Sequence, residues 1–184
     1  MYSQKIMTSF YSEEELSQLG LKSYGENVKI SRFARIYGAE HISIGSNVRI
    51  DDFCILSGNI TIGSNIHISA YVALYGAKGI IMEDYTGISP QTTIYSAMDD
   101  FGGDYLIGPI HDEKKTHVTG GPVVIKKFCQ IGTKCCVFPN LTLGEGTVVG
   151  ACSLVTKSLS EWGIYVGIPV KLLKERSKRL LKFV

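Results

Sequence analysis

Residues 44–74, IGSNVRIDDFCILSGNITIGSNIHISAYVAL, place an aliphatic side chain at every sixth position. The same interval continues on both sides of this stretch. The residue after each aliphatic one is often glycine, and the fourth residue after it is small or apolar. The series consists of Ile30, Ile36, Ile44, Ile50, Leu56, Ile62, Ile68, Leu74, Met82, Ile88, Ile94, Ile125, Ile131, Val137, Leu143, Val149 and Val155, with Tyr24 as a weak first member.

A period of six fits neither an amphipathic helix, with about 3.6 residues per turn, nor a strand that alternates between two faces. It fits an all-β parallel β-helix, in which three short strands form each coil and tight turns separate them. The aliphatic side chains then point inward and stack coil on coil. The series predicts about six 18-residue coils, beginning at Tyr24, Ile44, Ile62, Met82, Ile125 and Leu143.

The repeat divides the chain into three predicted parts. Residues 1–23 form a lead-in with a short helix that opens at a capping box, Ser12 to Glu15. Residues 24–160 form the β-helix. Residues 161–184 form a C-terminal helical tail, which is basic and carries its leucines on one stripe.

One long interruption separates the fourth coil from the fifth. The series stops at Ile94 and resumes at Ile125, which leaves an inserted loop at about 96–121. Loops of this length in a compact fold usually carry function. We therefore expect this loop to form one wall of the functional site.

Composition restricts the class of protein. The chain has 184 residues and a net charge of +2, which suits one domain and does not require a nucleic-acid partner. No apolar run is long enough to span a membrane. The five cysteines show no CxxC spacing, so reduced thiols and a cytoplasmic location are expected.

The repeat and its closing motif resemble a known family. The segment GIPVKLLKER at 167–176, preceded by LVTK at 154–157, resembles the maltose and galactoside O-acetyltransferase branch of the hexapeptide-repeat acyltransferases. The segments HISAY at 67–71 and YSAMDDF at 95–101 look like the sugar O-acetyltransferases of surface-polysaccharide loci.

This resemblance implies a left-handed β-helix and a homotrimer with active sites between neighbouring prisms. It also implies acetyl-CoA as the acyl donor, no metal, a histidine as general base, and backbone N–H groups that stabilise the oxyanion. The residues that match the CoA-binding positions of the family are Gly132, Thr133, Gly150, Ala151, Thr156, Lys157 and Lys171.

The family's catalytic histidine is missing, because Asp99 occupies its position. A carboxylate, with an ordinary pKa of about 4, is a weak base toward a sugar hydroxyl. We therefore predict that His67 of one subunit is the base, oriented by Asp99 or Asp100 of the next. The predicted catalytic residues are His67, Asp99 and Asp100.

The acceptor side matches the family less closely. Ser69 and Tyr71 replace family asparagines, and Tyr75 and Tyr95 offer aromatic faces on which a sugar ring can stack. We predict that these four residues bind a small sugar or glycan acceptor that differs from the substrate of the galactoside enzymes.

The predicted function is an acetyl-CoA-dependent O-acetyltransferase acting on a sugar hydroxyl in surface-polysaccharide biosynthesis. Three alternatives stay open. An N-acetyltransferase acting on a nucleotide-linked amino sugar needs a weaker base, which suits the missing histidine. A zinc enzyme of the γ-carbonic anhydrase type would need His67, His111 and His117 to converge on the metal. A non-catalytic trimeric scaffold would need no CoA channel.

Overall fold

The computed structural model describes residues 9–184 and is a parallel β-solenoid of about seven turns. The predicted all-β, left-handed parallel β-helix is thereby confirmed. Within the described residues no helix is both long enough and apolar enough to cross a membrane.

Most elements are short strands, as a coil with three flat sides requires. The strands are β1 (Ser23–Tyr24), β2 (Val28–Ile30), β3 (Arg35–Tyr37), β4 (Ile42–Ile44), β5 (Val48–Ile50), β6 (Ile55–Ile62), β7 (Ile66–Ile68), β8 (Ala73–Met82), β9 (Gly87–Ile88), β10 (Thr93–Tyr95), β11 (Ala97–Asp99), β12 (Val118–Gly120), β13 (Val123–Ile125), β14 (Gln130–Ile131), β15 (Cys136–Val137), β16 (Leu141–Leu143), β17 (Val148–Val149), β18 (Leu154–Val155), β19 (Gly163–Gly167) and β20 (Val170–Glu175). The helices are α1 (Glu13–Ser17) and three short 3-10 helices at Ala39–His41, Glu113–Lys115 and Arg179–Phe183.

The strands stack into three parallel faces. Face A contains β2, β5, β7, β9, β14, β17 and β19. Face B contains β3, the first halves of β6 and β8, then β10, β15 and β18. Face C contains β1, β4, the second halves of β6 and β8, then β13 and β16. We call the edges between them corners AB, BC and CA, in the order in which the chain turns.

The sixfold series forms the core. Every member from Ile44 to Val155 is at most 3% exposed, and neighbouring coils align them directly, as Leu56 aligns with Leu74. At the open end of the prism Tyr24 is 40% exposed. The inward positions are therefore set by the repeat, and the residues between them face outward in columns.

Corner CA shows how the turn residues permit this stacking. Asn27, Asn47 and Asn65 occupy the left-handed region, which asparagine tolerates better than most side chains. Their amides form a column, with Asn27 Nδ2 donating to Asn47 Oδ1 at 3.0 Å and Asn47 Nδ2 to Asn65 Oδ1 at 3.2 Å. Glycine is required at Gly45, because a Cβ there would lie 2.6 Å from backbone atoms of Gly63.

The predicted N-terminal helix is present as α1, and its capping box is complete. Ser12 N donates to Glu15 Oε2 at 2.8 Å, and Glu15 N donates to Ser12 Oγ at 3.3 Å. Arg32 also bonds to Glu15, and these bonds from Arg32 and Ser12 lower the pKa of Glu15 to about 2. Leu16 is buried, so the helix covers part of the first coil. The first part of the predicted lead-in, 1–8, lies outside the described residues.

The predicted C-terminal helix is wrong. Its first half is β20, which pairs antiparallel with β19, and only Arg179–Phe183 is helical, as a 3-10 helix. The chain reverses at Gly167, whose φ is +108°, and then runs back along the last strand of face A. Pairing with that open edge satisfies backbone groups that an amphipathic helix would leave exposed.

A seventh, partial coil follows the six predicted ones. Leu159 bridges to Leu143, and Tyr165 aligns with Val149 and is 9% exposed. The sixfold spacing lapses after Val155, because the next inward residue, Leu159, comes after only four positions. Because of this shorter spacing, the sixfold series did not predict the last coil.

The inward stacking gives a direct stability test. Ile68 is fully buried in β7, whereas Ile168 is 73% exposed between β19 and β20. We expect Ile68→Ala to lower the free energy of unfolding by about 2–5 kcal/mol, and Ile168→Ala by no more than about 0.5 kcal/mol. Chemical denaturation measures both. Equal losses in the two variants would contradict the inward assignment of the series.

Candidate active site

The predicted loop is an arm that leaves the prism at corner BC and returns to it. Its base is a two-stranded antiparallel hairpin, β11 with β12, in which Met98 pairs with Thr119. Beyond the hairpin, Leu106 bridges to Thr116. We call residues 97–120 the arm. It is an ordered excursion whose ends lie side by side.

Ser96 fastens the arm to the prism. Its side chain is fully buried, and its Oγ donates to Tyr75 O at 2.9 Å and accepts from Lys78 N at 2.8 Å. Gly121 N donates to Ser96 O at 3.0 Å and closes the base of the arm. At Gly120, with φ +133°, a Cβ would lie 2.4 Å from Ser96 O, so only glycine fits this approach.

A pocket of about 740 Å³ lies between the arm and face B. Tyr75 and Tyr95 stack within it, with ring centroids 5.3 Å apart. Burial, followed by the proximity of Cys136 and Tyr75, raises the pKa of Tyr95 above its usual value. We call this space the arm pocket. Its lining residues are Tyr75, Ala77, Tyr95, Ala97, Met98, Asp99, Gly108, Pro109, His111, Glu113, Thr116 and Val118.

The arm pocket brings together three of the predicted site residues, Asp99, Tyr75 and Tyr95. Asp99 is the last residue of β11, and its Oδ1 accepts from Gly108 N at 3.4 Å. Asp100 does not line the pocket; its Oδ1 accepts from Gly102 N at 2.9 Å and shapes the next turn.

His67, Ser69 and Tyr71 lie elsewhere, along face A and corner AB of the same prism. His67 Nε2 lies 2.8 Å from Asp51 Oδ2, so its carboxylate partner within the chain is Asp51, which the sequence analysis did not single out. The predicted contact between His67 and Asp99 or Asp100 of a neighbouring subunit stays a prediction.

Two histidines of the arm have separate positions. His111 lines the arm pocket together with Glu113. His117 stacks on Tyr105 at a centroid distance of 5.0 Å, and its carbonyl accepts from Asp100 N. The pocket position of His111 and Glu113 carried no sequence signal, because residues in an irregular loop have no periodicity to place them. Within residues 9–184 no three His, Cys, Asp or Glu side chains come close enough to hold a metal ion.

The predicted CoA-binding residues lie in the last coils. A Cβ on Gly132 would lie 2.6 Å from Ala151 N, and one on Gly150 would lie 2.7 Å from Val166 Cγ1. The stacking of the coils therefore favours glycine at both positions, independently of CoA binding. Thr133 Oγ1 donates to Pro90 O at 2.6 Å and ties two coils together.

Three other predicted CoA-binding side chains are exposed. Thr156 and Lys157 follow β18, and Lys171 lies in β20, in the hairpin that replaces the predicted tail helix.

Comparison with known proteins identifies the family. The chain is 41% identical over 177 residues to the dTDP-4-amino-4,6-dideoxy-D-glucose acyltransferase of Escherichia coli, covering 95% of this chain and 92% of that protein. It belongs to the hexapeptide-repeat acyltransferases. No protein-family model matches the sequence.

Solved structures of AntD, an N-acyltransferase from Bacillus cereus, give the same result. One is in complex with dTDP-4-amino-4,6-dideoxyglucose and coenzyme A; it is 50% identical, with a TM-score of 0.94 over 96% of this chain and 95% of AntD. Another is in complex with dTDP and 3-hydroxybutyryl-CoA; it is 51% identical, with the same TM-score over 96% of this chain and 95% of AntD.

These relatives correct the predicted function. They act on an amino sugar, so the prediction of an O-acetyltransferase acting on a sugar hydroxyl is wrong. The chemical reason is the one that the aspartate at the base position already suggested, since an amine needs less help from a base than a hydroxyl does. The prediction of an acyltransferase is confirmed, and the maltose and galactoside branch is not supported.

The attachment of the arm can be tested at Ser96. Ser96→Ala removes one donor and one acceptor from a buried site, which costs about 1–3 kcal/mol for the groups left unpaired. We expect faster amide hydrogen exchange at Lys78 and Gly121. Ser46→Ala breaks a comparable bond, Glu26 N to Ser46 Oγ at 3.0 Å, on the first coils, and leaves the exchange of the arm unchanged. Unaltered exchange in Ser96→Ala would show that the hairpin alone holds the arm.

Proposed function

We propose that this protein transfers an acyl group from a CoA thioester to the amino group of a nucleotide-linked amino sugar, dTDP-4-amino-4,6-dideoxyglucose or a close analogue. The observation that carries this proposal is the near-complete match to AntD in complex with that sugar nucleotide and coenzyme A. At 50% identity and a TM-score of 0.94, the match includes the prism and nearly all of the chain.

The position of Asp99 supports the same acceptor. AntD has been crystallised with one serine replaced and, in other crystals, with one aspartate replaced ten residues further on. In this chain a single serine precedes an aspartate by that interval, and the pair is Ser89 and Asp99. The aspartate at the edge of the arm pocket is therefore the counterpart of a residue that has been probed in AntD.

An amine acceptor suits a carboxylate at this position. A neutral amine attacks the thioester carbonyl with its own lone pair, so no proton has to be removed beforehand. The C–N bond forms, the C–S bond of the tetrahedral intermediate breaks, and the departing thiolate takes the proton that the nitrogen loses. A thiolate, whose conjugate acid has a pKa of about 8.5, is a far stronger final base than a carboxylate. Asp99 then acts by accepting a hydrogen bond that orients the amine.

Charge and space in the last coils fit a CoA donor. Lys157 and Lys171 are exposed, and their ammonium groups suit the phosphates of CoA as point charges. Gly132, Thr133, Gly150 and Ala151 leave corner AB without bulk, while Thr156 and Lys157 follow β18 at corner BC. The donor site therefore follows corner AB toward the C-terminal hairpin.

A homotrimer belongs to this proposal. Ser89 lies at corner AB and Asp99 lies on the arm at corner BC, so a cleft that contains both combines a corner of one subunit with the arm of its neighbour. Phe101, Ile107 and Ile110 of the arm are 70%, 53% and 86% exposed, and a neighbouring prism would cover them.

The cysteines are all free, which supports the predicted cytoplasmic location.

The choice of acceptor is decided by a thiol-release assay. With acetyl-CoA or 3-hydroxybutyryl-CoA as donor, we expect release with dTDP-4-amino-4,6-dideoxyglucose. We expect none above background with dTDP-6-deoxyglucose, in which a hydroxyl replaces the amine. Release that is equal or faster with the hydroxyl sugar would overturn the proposal.

Asp99→Asn separates orientation from general base catalysis. Loss of one charge-assisted hydrogen bond predicts a fall in kcat/KM of about tenfold, whereas loss of a general base costs about 10²- to 10⁴-fold. Steady-state kinetics with the amino sugar measure the difference. Asp104→Asn, an exposed carboxylate of the same arm, is the matched control and is expected to leave kcat/KM unchanged. A fall of a hundredfold or more in Asp99→Asn would assign proton removal to this residue.

A further inference from the structure

Two cationic side chains and one imidazole form a column on the outside of face A. Lys29, Arg49 and His67 are direct neighbours on β2, β5 and β7, in register with one another. The residues on either side of each point inward, as buried Ile50 and Ile68 show. The three side chains therefore share the outer surface at intervals of one strand spacing, about 4.8 Å. We call them the cationic column.

Asp51 holds two members of this column in place. Its Oδ1 accepts from Arg49 Nε at 2.6 Å, and its Oδ2 lies 2.8 Å from His67 Nε2. Burial by itself raises the pKa of Asp51, but the bonds to Arg49 and His67 outweigh it and the pKa falls below its usual value. The Asp51 side chain is only 18% exposed, while Arg49 and His67 are 56% and 53% exposed. The side chains of Arg49 and His67 thus face solvent, and the carboxylate of Asp51 lies beneath them.

An aromatic column runs beside the cationic one, at corner AB. The ring centroids of Phe33 and Phe53 are 5.7 Å apart, and those of Phe53 and Tyr71 are 4.9 Å apart. All three rings are about half exposed. The equivalent column at corner CA differs, because Trp162 is buried and Lys178 lies over its ring.

The two columns are close enough for one ligand. Tyr71 follows His67 by four residues around the corner, so the separation is at most about 14 Å. Tyr71 N also donates to Asp52 O at 3.0 Å, which places its backbone directly against the residue after Asp51. We call the surface formed by Arg49, His67, Phe53 and Tyr71 the ledge.

We propose that the ledge binds the nucleoside diphosphate part of the sugar-nucleotide acceptor, with the pyrimidine on the rings of Phe53 and Tyr71 and the phosphates on Arg49 and His67. This rests on the proposed function for the identity of the ligand. Bases of any sequence stack on aromatic rings, and a guanidinium matches phosphate oxygens with paired donors. The guanidinium of Arg49 lies over the ring of Phe10, with Cζ 5.2 Å from the ring centroid, and donates one of its five N–H groups to Asp51. Because the ring contact uses no N–H group, the four other donors can bind phosphate.

The ledge gives a binding role to residues that the proposed acyl-transfer step does not use. His67 becomes a phosphate-binding residue, held by Asp51, in place of the predicted base. Tyr71, predicted to bind the acceptor sugar, stacks on the base instead. Ser69 lies between the two columns in sequence, where the ribose would pass.

Calorimetry with dTDP and with thymidine tests the ledge. Tyr71→Asn removes the ring while asparagine tolerates the positive φ of 63°, and we expect it to weaken binding of both ligands about tenfold. Arg49→Gln is expected to weaken dTDP about tenfold and to leave thymidine unchanged, since only the phosphates lose a partner.

Matched controls exist on other surfaces of the prism. Tyr85 has a φ of 59° and stacks on Phe128 at 5.3 Å, so Tyr85→Asn makes the same change at corner CA. Arg35→Gln makes the charge change on face B. Both controls are expected to bind dTDP and thymidine like the unaltered protein.

The outcomes separate the ledge from the proposed function. If both ledge variants bind dTDP as tightly as the unaltered protein, the ledge is overturned even though the amino sugar is acylated. If they lose affinity for free CoA and keep it for dTDP, the nucleotide on the ledge is that of CoA and the proposal is wrong. If they lose dTDP as expected while the unaltered protein fails to acylate the amino sugar, the ledge stands and the proposed function falls.

Discussion

The stacking of inward aliphatic side chains, one coil on the next, is the constraint on which everything else in this protein depends. Because each inward residue must lie over its counterpart, the positions between them are aligned as well. Outward side chains therefore form columns of similar residues, with amides at Asn27, Asn47 and Asn65 and basic side chains at Arg49 and His67. Similar residues that lie one coil apart in the sequence therefore form continuous surfaces in the folded protein.

An amine acceptor, as in the proposed function, changes what the enzyme has to supply. A hydroxyl acceptor requires a strong base. With such an acceptor, replacement of the family's catalytic histidine by Asp99 would remove that base. For an amine the thiolate can receive the proton, and the requirements become placement of the nitrogen and retention of two large ligands. The arm pocket, with Asp99 at its edge and stacked Tyr75 and Tyr95, suits placement. The long outer faces of the prism suit the binding of two large ligands.

Much of the fold follows from the sequence because the repeat is local and redundant. Each residue of the sixfold series indicates an inward-pointing side chain, so the other coils can still be predicted when one coil is irregular. The hairpin of β19 with β20 could not be predicted in the same way, since the stripe of leucines from Val170 onward suits a helix when considered alone. What decides the strand is the open edge of β19, a tertiary feature that exists only after the prism has formed.

The site was predictable to the extent that it lies on the repeat or next to it. Asp99, Tyr75 and Tyr95 were found because family alignment marks Asp99, and aromatic content marks the two tyrosines, near the ends of the third and fourth coils. The pairing of Asp51 with His67 was missed, because the register of the coils aligns His67 with Arg49 and Asp51 lies two positions further along the chain. His111 and Glu113 lie in irregular chain, where only the folded arm shows what they approach.

The closed base of the arm also bears on how such enzymes diversify. The chain leaves at Ser96 and re-enters at Gly121, and the strands on either side of the gap pair as if nothing intervened: β10 with β15, and β8 with β13. The arm is thus a cassette attached to a scaffold that is already complete. Its length and side chains can drift, or be exchanged between relatives, without disturbing a single coil, so substrate choice can evolve on a timescale separate from that of the fold.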